Sequence, residues 1–313
     1  MSKLFITIIL LSIFFLPKLL FSQNINLRDN YFSNCLYNVN PSAAGYDGGF
    51  ISSLSISKKW VNIQDAPSVQ VFSNSLRFGS TDFYDDEYFI SRPIFDFAPR
   101  VGVGLTLYNE TSGPIKETGF LFAYAYHIPL NRNKLSFGLS GSYSQTSINS
   151  VLLQPNNEYD PELYTNTKDY FPSIQFGSMY YSRDLLVSLS LRRNLISNSY
   201  YQTITFTNVN LFSLYNLYES SRYSIESSIM LDYTYNYQTT IDCNLRLHYF
   251  NKHWLLISLR DFQAFGMGIG LSFNSRIQFQ YQFKTSNSSF NKHFVSSHSV
   301  GLSLNVERII QNR

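Results

Sequence analysis

From Arg276 to Phe283 the chain alternates without a break. Arg276, Gln278, Gln280 and Gln282 share one parity, and Ile277, Phe279, Tyr281 and Phe283 the other. A period of two belongs to a β-strand, because successive side chains of a strand point to opposite faces. The pattern recurs along the whole chain. Phe50, Leu54, Ile56 and Trp60 oppose Ser53, Ser55, Ser57 and Lys59, and Phe120, Phe122, Tyr124, Tyr126 and Ile128 oppose Leu121, Ala123, Ala125 and His127. Leu135, Phe137, Leu139 and Tyr143 oppose Ser136, Gly138, Ser140, Ser142 and Ser144. In Val101 to Tyr108 the aliphatic residues alternate with Gly102 and Gly104, which makes one surface of that strand thin.

Such strands suit either a sandwich with its apolar face inward or a membrane barrel with that face toward lipid. The polar faces decide between them. Ser224, Glu226, Ser228 and Asp232 share one face of Tyr223–Tyr235, and Asp242, Asn244, Arg246 and His248 share one face of Ile241–Tyr249. Turning both faces into a dry core would bury unpaired charge at several kcal/mol each, whereas a polar lumen accepts them. Composition agrees. Tyr 24 and Phe 27 are high counts and charged residues are only 14%, yet the mean hydropathy of -0.13 is too polar for a helical membrane protein. Scattered charges with a net of +3 give no basic run for nucleic acid.

The first residues read as a targeting segment. Lys3 precedes an apolar run from Leu4 to Leu16 that meets Pro17-Lys18, too short for a membrane helix, with Ser22 a small residue before cleavage. The expected division is a signal peptide over 1–22 and one barrel over 23–313. About 14 strands of roughly 8–12 residues account for the mature chain, an even number of membrane-crossing length. The fold class is therefore all-β, a single antiparallel transmembrane β-barrel with a short N-terminal segment.

The opening of the mature chain also carries a resemblance. Asn40-Pro41-Ser42-Ala43-Ala44-Gly45, a strand closing on Trp60, and Ile63 followed by Ala66-Pro67 resemble the start of the PorP/SprF-like outer-membrane proteins of the type IX secretion system. That family's wording is an N-P-A-x-A-G turn, a Y-R-x-Q-W strand end and a G-I-x-G-A-P linker. Here Ser57 stands at the Arg position, Lys59 at the Gln position, and Asn62 and Asp65 at the linker glycines. The Tyr124-Ala125-Tyr126 strand and Leu135-Ser136-Phe137-Gly138-Leu139 are similar to later family strands. Ser297-His298-Ser299 is similar to its closing S-H-E strand, with Ser299 in place of the acid. The resemblance implies a barrel in the cell outer membrane without catalysis or cofactor. Its expected partners are outer-membrane lipid, a secreted client protein with a C-terminal sorting domain, and periplasmic type IX secretion components, in protein secretion or gliding. Asn40, Pro41, Ala44, Gly45, Trp60, Ala66, Pro67 and His298 are the signature positions, with structural or partner-binding roles.

Other readings stay open at this point. A passive diffusion channel fits the small, polar inward faces, and an outer-membrane hydrolase would need a serine and a histidine brought together from separate strands. His127, His248, His253, His293 and His298 lack metal-ligand spacing, and neither H-E-x-x-H nor G-x-S-x-G occurs. Asp82, Asp85, Asp86 and Glu87 offer calcium the oxygen ligands it takes, without an EF-hand's spacing; solvated loop surface is the simpler reading. Cys35 and Cys243 are far apart in sequence, which does not establish a disulfide. In the long irregular stretch after Gln145, Tyr159 and Tyr164 are candidate anchors for a client.

Overall fold

The computed structural model describes residues 35–61, 63–78, 100–130, 133–149, 168–195, 207–234, 239–250, 252–262, 264–274, 276–286 and 295–305. The segment 1–22, the carboxylates at 82–87, Tyr159, Tyr164 and His293 lie outside them. The strands are β1 (Phe50–Lys58), β2 (Ser68–Phe78), β3 (Val101–Ser112), β4 (Ile115–Leu130), β5 (Asn133–Ile148), β6 (Lys168–Tyr181) and β7 (Leu185–Asn194), followed by β8 (Thr207–Glu219), β9 (Tyr223–Thr234), β10 (Thr240–Tyr249), β11 (His253–Arg260), β12 (Ala264–Ser272), β13 (Ile277–Ser286) and β14 (Val295–Asn305). Each pairs antiparallel with its neighbours in sequence, and β1 closes on β14, with Ile51 opposite Asn305 and Lys58 opposite His298. Closure leaves the sheet without an edge, as lipid requires.

The alternation resolves as the sequence predicts. On β1 the apolar Leu54 and Ile56 are exposed on the outside, while Ser53, Ser55 and Ser57 are buried inside. Asp242 and Asn244 point inward from β10, and Gln280 and Gln282 from β13. This is a wall between lipid and a polar interior. Strands β4 and β5 have 16 residues and β6 has 14, longer than the sequence suggests. On β4 the outward side chains are apolar from Leu130 to Phe120 and then become Thr118 and Lys116, so the strand continues past the apolar band into water. The stretch 200–217, readable as one strand or two, supplies β8 from Thr207 onward, with a bulge between Asn216 and Tyr218.

The two ends of the barrel differ. The end where β1 begins and β14 finishes, the near end, carries turns at 182–184, 220–222, 250–252 and 273–276, and also the 79–99 connection. The far end carries the β1–β2 hairpin tip and the longer connections 149–167 and 195–206.

One expectation changes. The inner face is not uniformly small and polar: Leu121, Met179, Leu186, Phe212 and Met230 point inward and form a buried cluster with Cys35, Tyr37 and Val39. These large side chains have an apolar partner inside the barrel, a segment that strand periodicity cannot reveal.

Candidate functional site: the occupied lumen

That partner is the stretch before β1. Two short 3-10 turns, Leu36–Asn38 and Pro41–Ala43, fold inside the barrel, and residues 37–45 are all buried. The signature turn begins with an Asn-Pro step because both residues have work to do there. Asn40 Oδ1 accepts from Ser42 N at 3.0 Å and from Ser42 Oγ at 2.6 Å, which caps the turn. Pro41 sits at the first position, where a missing N–H loses nothing. The Asn40 amide Nδ2 then donates outward to the wall, to Ser178 O at 3.2 Å and Leu189 O at 3.1 Å.

The wall is shaped to receive this segment. Gly102, Ala125, Gly138, Gly177 and Ser190 stand directly opposite one another across β3 to β7, a bed almost free of side chains. A methyl group built on Gly102 would collide with Ala44 O, on Gly138 with Ser42 N, and on Gly177 with Asn40 Oδ1. One row away, Gly104 makes room for the Tyr37 ring. Gly45 leaves the bed at φ +69°, in the left-handed region that favours glycine.

Wall side chains then satisfy the segment's main chain. Gln175 Nε2 and Ser190 Oγ donate to Val39 O at 2.6 and 3.1 Å, and Ser136 Oγ donates to Ser42 O at 2.7 Å. Gly45 N donates to Ser75 Oγ at 3.0 Å. His127 Nε2 lies 2.8 Å from Ala44 O, and Nδ1 lies 3.0 Å from the Tyr181 hydroxyl. A carbonyl only accepts, so Nε2 carries the proton and Nδ1 accepts from Tyr181. Tyr37 OH donates to Leu105 O at 2.8 Å, while Thr106 Oγ1 donates to Asn38 Oδ1 at 2.6 Å. Burial, aided by the Asp47 carboxylate, pushes the Cys35 thiol up and keeps it protonated. Cys243 faces outward from β10, so the wall separates it from Cys35, and both thiols are free.

The opposite inner wall is charged. Arg260 donates to both Asp242 oxygens, at 2.5 and 2.7 Å, His248 pairs with Glu226 at 2.9 Å, and Arg246 lies over the Trp254 ring at 5.2 Å. These are the inward charges that exclude a dry core, paired across adjacent strands. The remaining described histidines are engaged elsewhere: Ser272 N donates to His253 Nδ1, and His298 Nδ1 is 2.7 Å from the Tyr281 hydroxyl on the outer face.

The signature positions therefore separate into two groups. Asn40, Pro41, Ala44 and Gly45 line up on the inner bed. Trp60, Ala66 and Pro67 belong to the far-end hairpin tip, where Lys59 N donates to Pro67 O at 2.8 Å, Val61 N to Ser296 O at 3.0 Å and Gly113 N to Asp65 O at 3.0 Å. His298 lies on the outside near that tip, opposite Lys58. Sequence reasoning missed the receiving side, Gln175, Ser190, Ser136 and the glycine row, because it spans five strands and shows only in their register.

A closed barrel of this kind, with that opening turn, matches one family along nearly all its length: the profile described as type IX secretion system membrane protein PorP/SprF covers residues 20–304. The chain belongs to the PorP/SprF family. It is thus an outer-membrane β-barrel of the type IX secretion system family. No curated protein matches the chain. Solved barrels that resemble it include a Pseudomonas aeruginosa FadL homologue, 8% identical with TM-score 0.48 over 85% of this chain and 92% of that one. Another is Acinetobacter baumannii Omp33, 8% identical with TM-score 0.47 over 82% and 97%. A KdgM porin is 9% identical, with TM-score 0.38 over 81% and 98%.

Proposed function

We propose that this PorP/SprF barrel is a sealed, non-catalytic scaffold that holds secreted client proteins at the cell surface through their C-terminal sorting domains and meets periplasmic secretion components at its other end. The observation that carries this reading is the occupied lumen. A barrel whose own chain is hydrogen-bonded to six of its strands, β2 to β7, offers partners its rims rather than its bore. Outer-membrane barrels keep short turns on the periplasmic side and longer loops outside. With the short turns at 182–184, 220–222, 250–252 and 273–276 gathered at the near end and 79–99 the one long connection among them, the near end is taken as periplasmic and the far end as the cell surface. Client contact then falls to the hairpin tip with Trp60 and Ile63, both exposed, and to the 149–167 connection with Tyr159 and Tyr164, aromatic residues of the kind that anchor interfaces. Family membership supports the client role. Export requires the 1–22 segment to be cleaved, and the mature protein is expected to begin near Gln23.

The test is crosslinking from intact envelopes, with the chain tagged in the 149–167 connection. Recovery of a secreted protein's C-terminal domain together with periplasmic secretion components supports the scaffold. Recovery of bulk porins alone, combined with steady ion conductance of the purified protein in planar bilayers, would replace it with the diffusion channel.

A further inference from the structure

We infer that the near-end rim between β8 and β11 is a binding site for the headgroup of an anionic phospholipid. Two turns meet there. Phe250 N donates to Arg222 O at 2.7 Å, which ties the β10–β11 turn to the β8–β9 turn. Arg222 and Lys252 are both exposed, one on each turn. Directly toward the apolar band from these cations lies an aromatic platform. Tyr223 and Tyr249 are opposite one another in register with ring centroids 5.2 Å apart, and the Phe250 ring packs edge-on to Tyr249 at 4.6 Å. All three rings are exposed on the outside of the barrel.

This layering selects the ligand. Aromatic rings that are apolar below and polar above settle at headgroup depth, and Lys or Arg just beyond them reaches the phosphate plane. An acidic protein would satisfy the cations, but it would leave outward-facing rings continuous with the lipid band unexplained. Of the neighbouring turns, that between β12 and β13 adds Arg276 to the field, whereas Arg183 on the β6–β7 turn stands with Asp184 and with Glu219, 3.3 Å away, and adds no net positive charge. The rim is also built in advance: Lys252 O accepts from Ser272 Oγ at 2.6 Å and from Gln278 Nε2 at 3.2 Å, which holds the β10–β11 turn in place. At the far end the described cations Lys58, Lys59, Lys116, Lys168 and Arg193 stand among the carboxylates Asp65, Glu117, Asp169 and Asp261, so that rim carries little net charge.

The experiment titrates the purified full chain, in zwitterionic detergent, with dioleoylphosphatidylglycerol and separately with dioleoylphosphatidylcholine, and counts retained lipids by native mass spectrometry. The wild-type chain should retain the phosphatidylglycerol preferentially, and 0.5 M salt should erode that preference. The double variant R222Q/K252Q should lose roughly fivefold in preference for each cation removed, while K58Q/K116Q, which removes two far-end cations, keeps it. Equal retention of both lipids by the wild type, a preference indifferent to salt, or an undiminished preference in R222Q/K252Q would each overturn the proposal. So would protection of Arg222 and Lys252 by an acidic protein in vesicles without phosphatidylglycerol. The wild-type and salt comparisons stand even if the double variant fails to fold.

Discussion

Gly138 and Gly141 stand on the same strand, β5, and face opposite sides of the wall, which makes them a matched pair. A methyl group at Gly138 meets the backbone of Pro41 and Ser42, atoms that cannot swing aside, whereas one at Gly141 meets nothing within 4 Å. Overpacking a fitted interior costs about 1–3 kcal/mol, while a surface change without contacts stays within about 0.5 kcal/mol. G138A should therefore lower the thermal unfolding midpoint measured in detergent, and G141A should leave it in place. Equal shifts in the two variants would mean that the segment does not press on the bed. The cysteines give a second residue-scale expectation. Cys35 is buried with its thiol held protonated, and Cys243 is only partly covered on the outer face. A lipid-soluble maleimide should label Cys243 in the folded protein, while Cys35 should react only after unfolding; early labelling of Cys35 would show that the lumen segment opens readily.

At the scale of elements, β1, β2 and the turn before them form one unit, and the sequence discloses its parts unevenly. The hairpin is legible because alternation runs on both sides of Ala66-Pro67. The turn is legible as a turn, because Asn40-Pro41 and Gly45 have recognisable backbone preferences. That the turn lies inside the barrel is not legible, since its contacts come from residues 30 to more than 100 positions away, such as Ser75 and Gln175. For the same reason Phe212 and Met230 look out of phase with their polar neighbours: strand periodicity reports which side a residue faces, but not what waits there. Asn40 joins the two levels, since one side chain both caps the turn and reaches two strands of the wall. N40A would leave Ser178 O and Leu189 O without that donor and the turn without its cap, a loss of about 1–3 kcal/mol. Hydrogen exchange of the 35–45 amides should speed up in N40A while exchange in the β10–β13 wall stays slow. Uniform acceleration would instead make the segment an inseparable part of the whole barrel.

For the molecule as a whole, strand number sets the problem that the lumen segment solves. Eight strands close tightly enough for side chains to fill the interior, and sixteen to eighteen leave an aqueous channel. Fourteen strands fall between these cases, and this inner face is lined over much of its area by Ser, Gly and Ala, too small to meet across the bore. Residues 35–49 lie in that space and bring apolar side chains into one cluster with Phe212 and Met230, so the seated segment is held by core packing as well as by main-chain hydrogen bonds. A barrel sealed by this segment, as proposed, should pass little current. The wild-type protein in planar bilayers is expected to show no steady ion conductance, and G102V/G138V, which obstructs the bed at two points, should conduct because the segment can no longer seat. High conductance in the wild type would mean that the polar wall with Asp242, Arg260 and Glu226 borders an open path, and the sealed scaffold would give way to a channel. Silence in both proteins, with G102V/G138V still folded, would show that the seal does not depend on the bed.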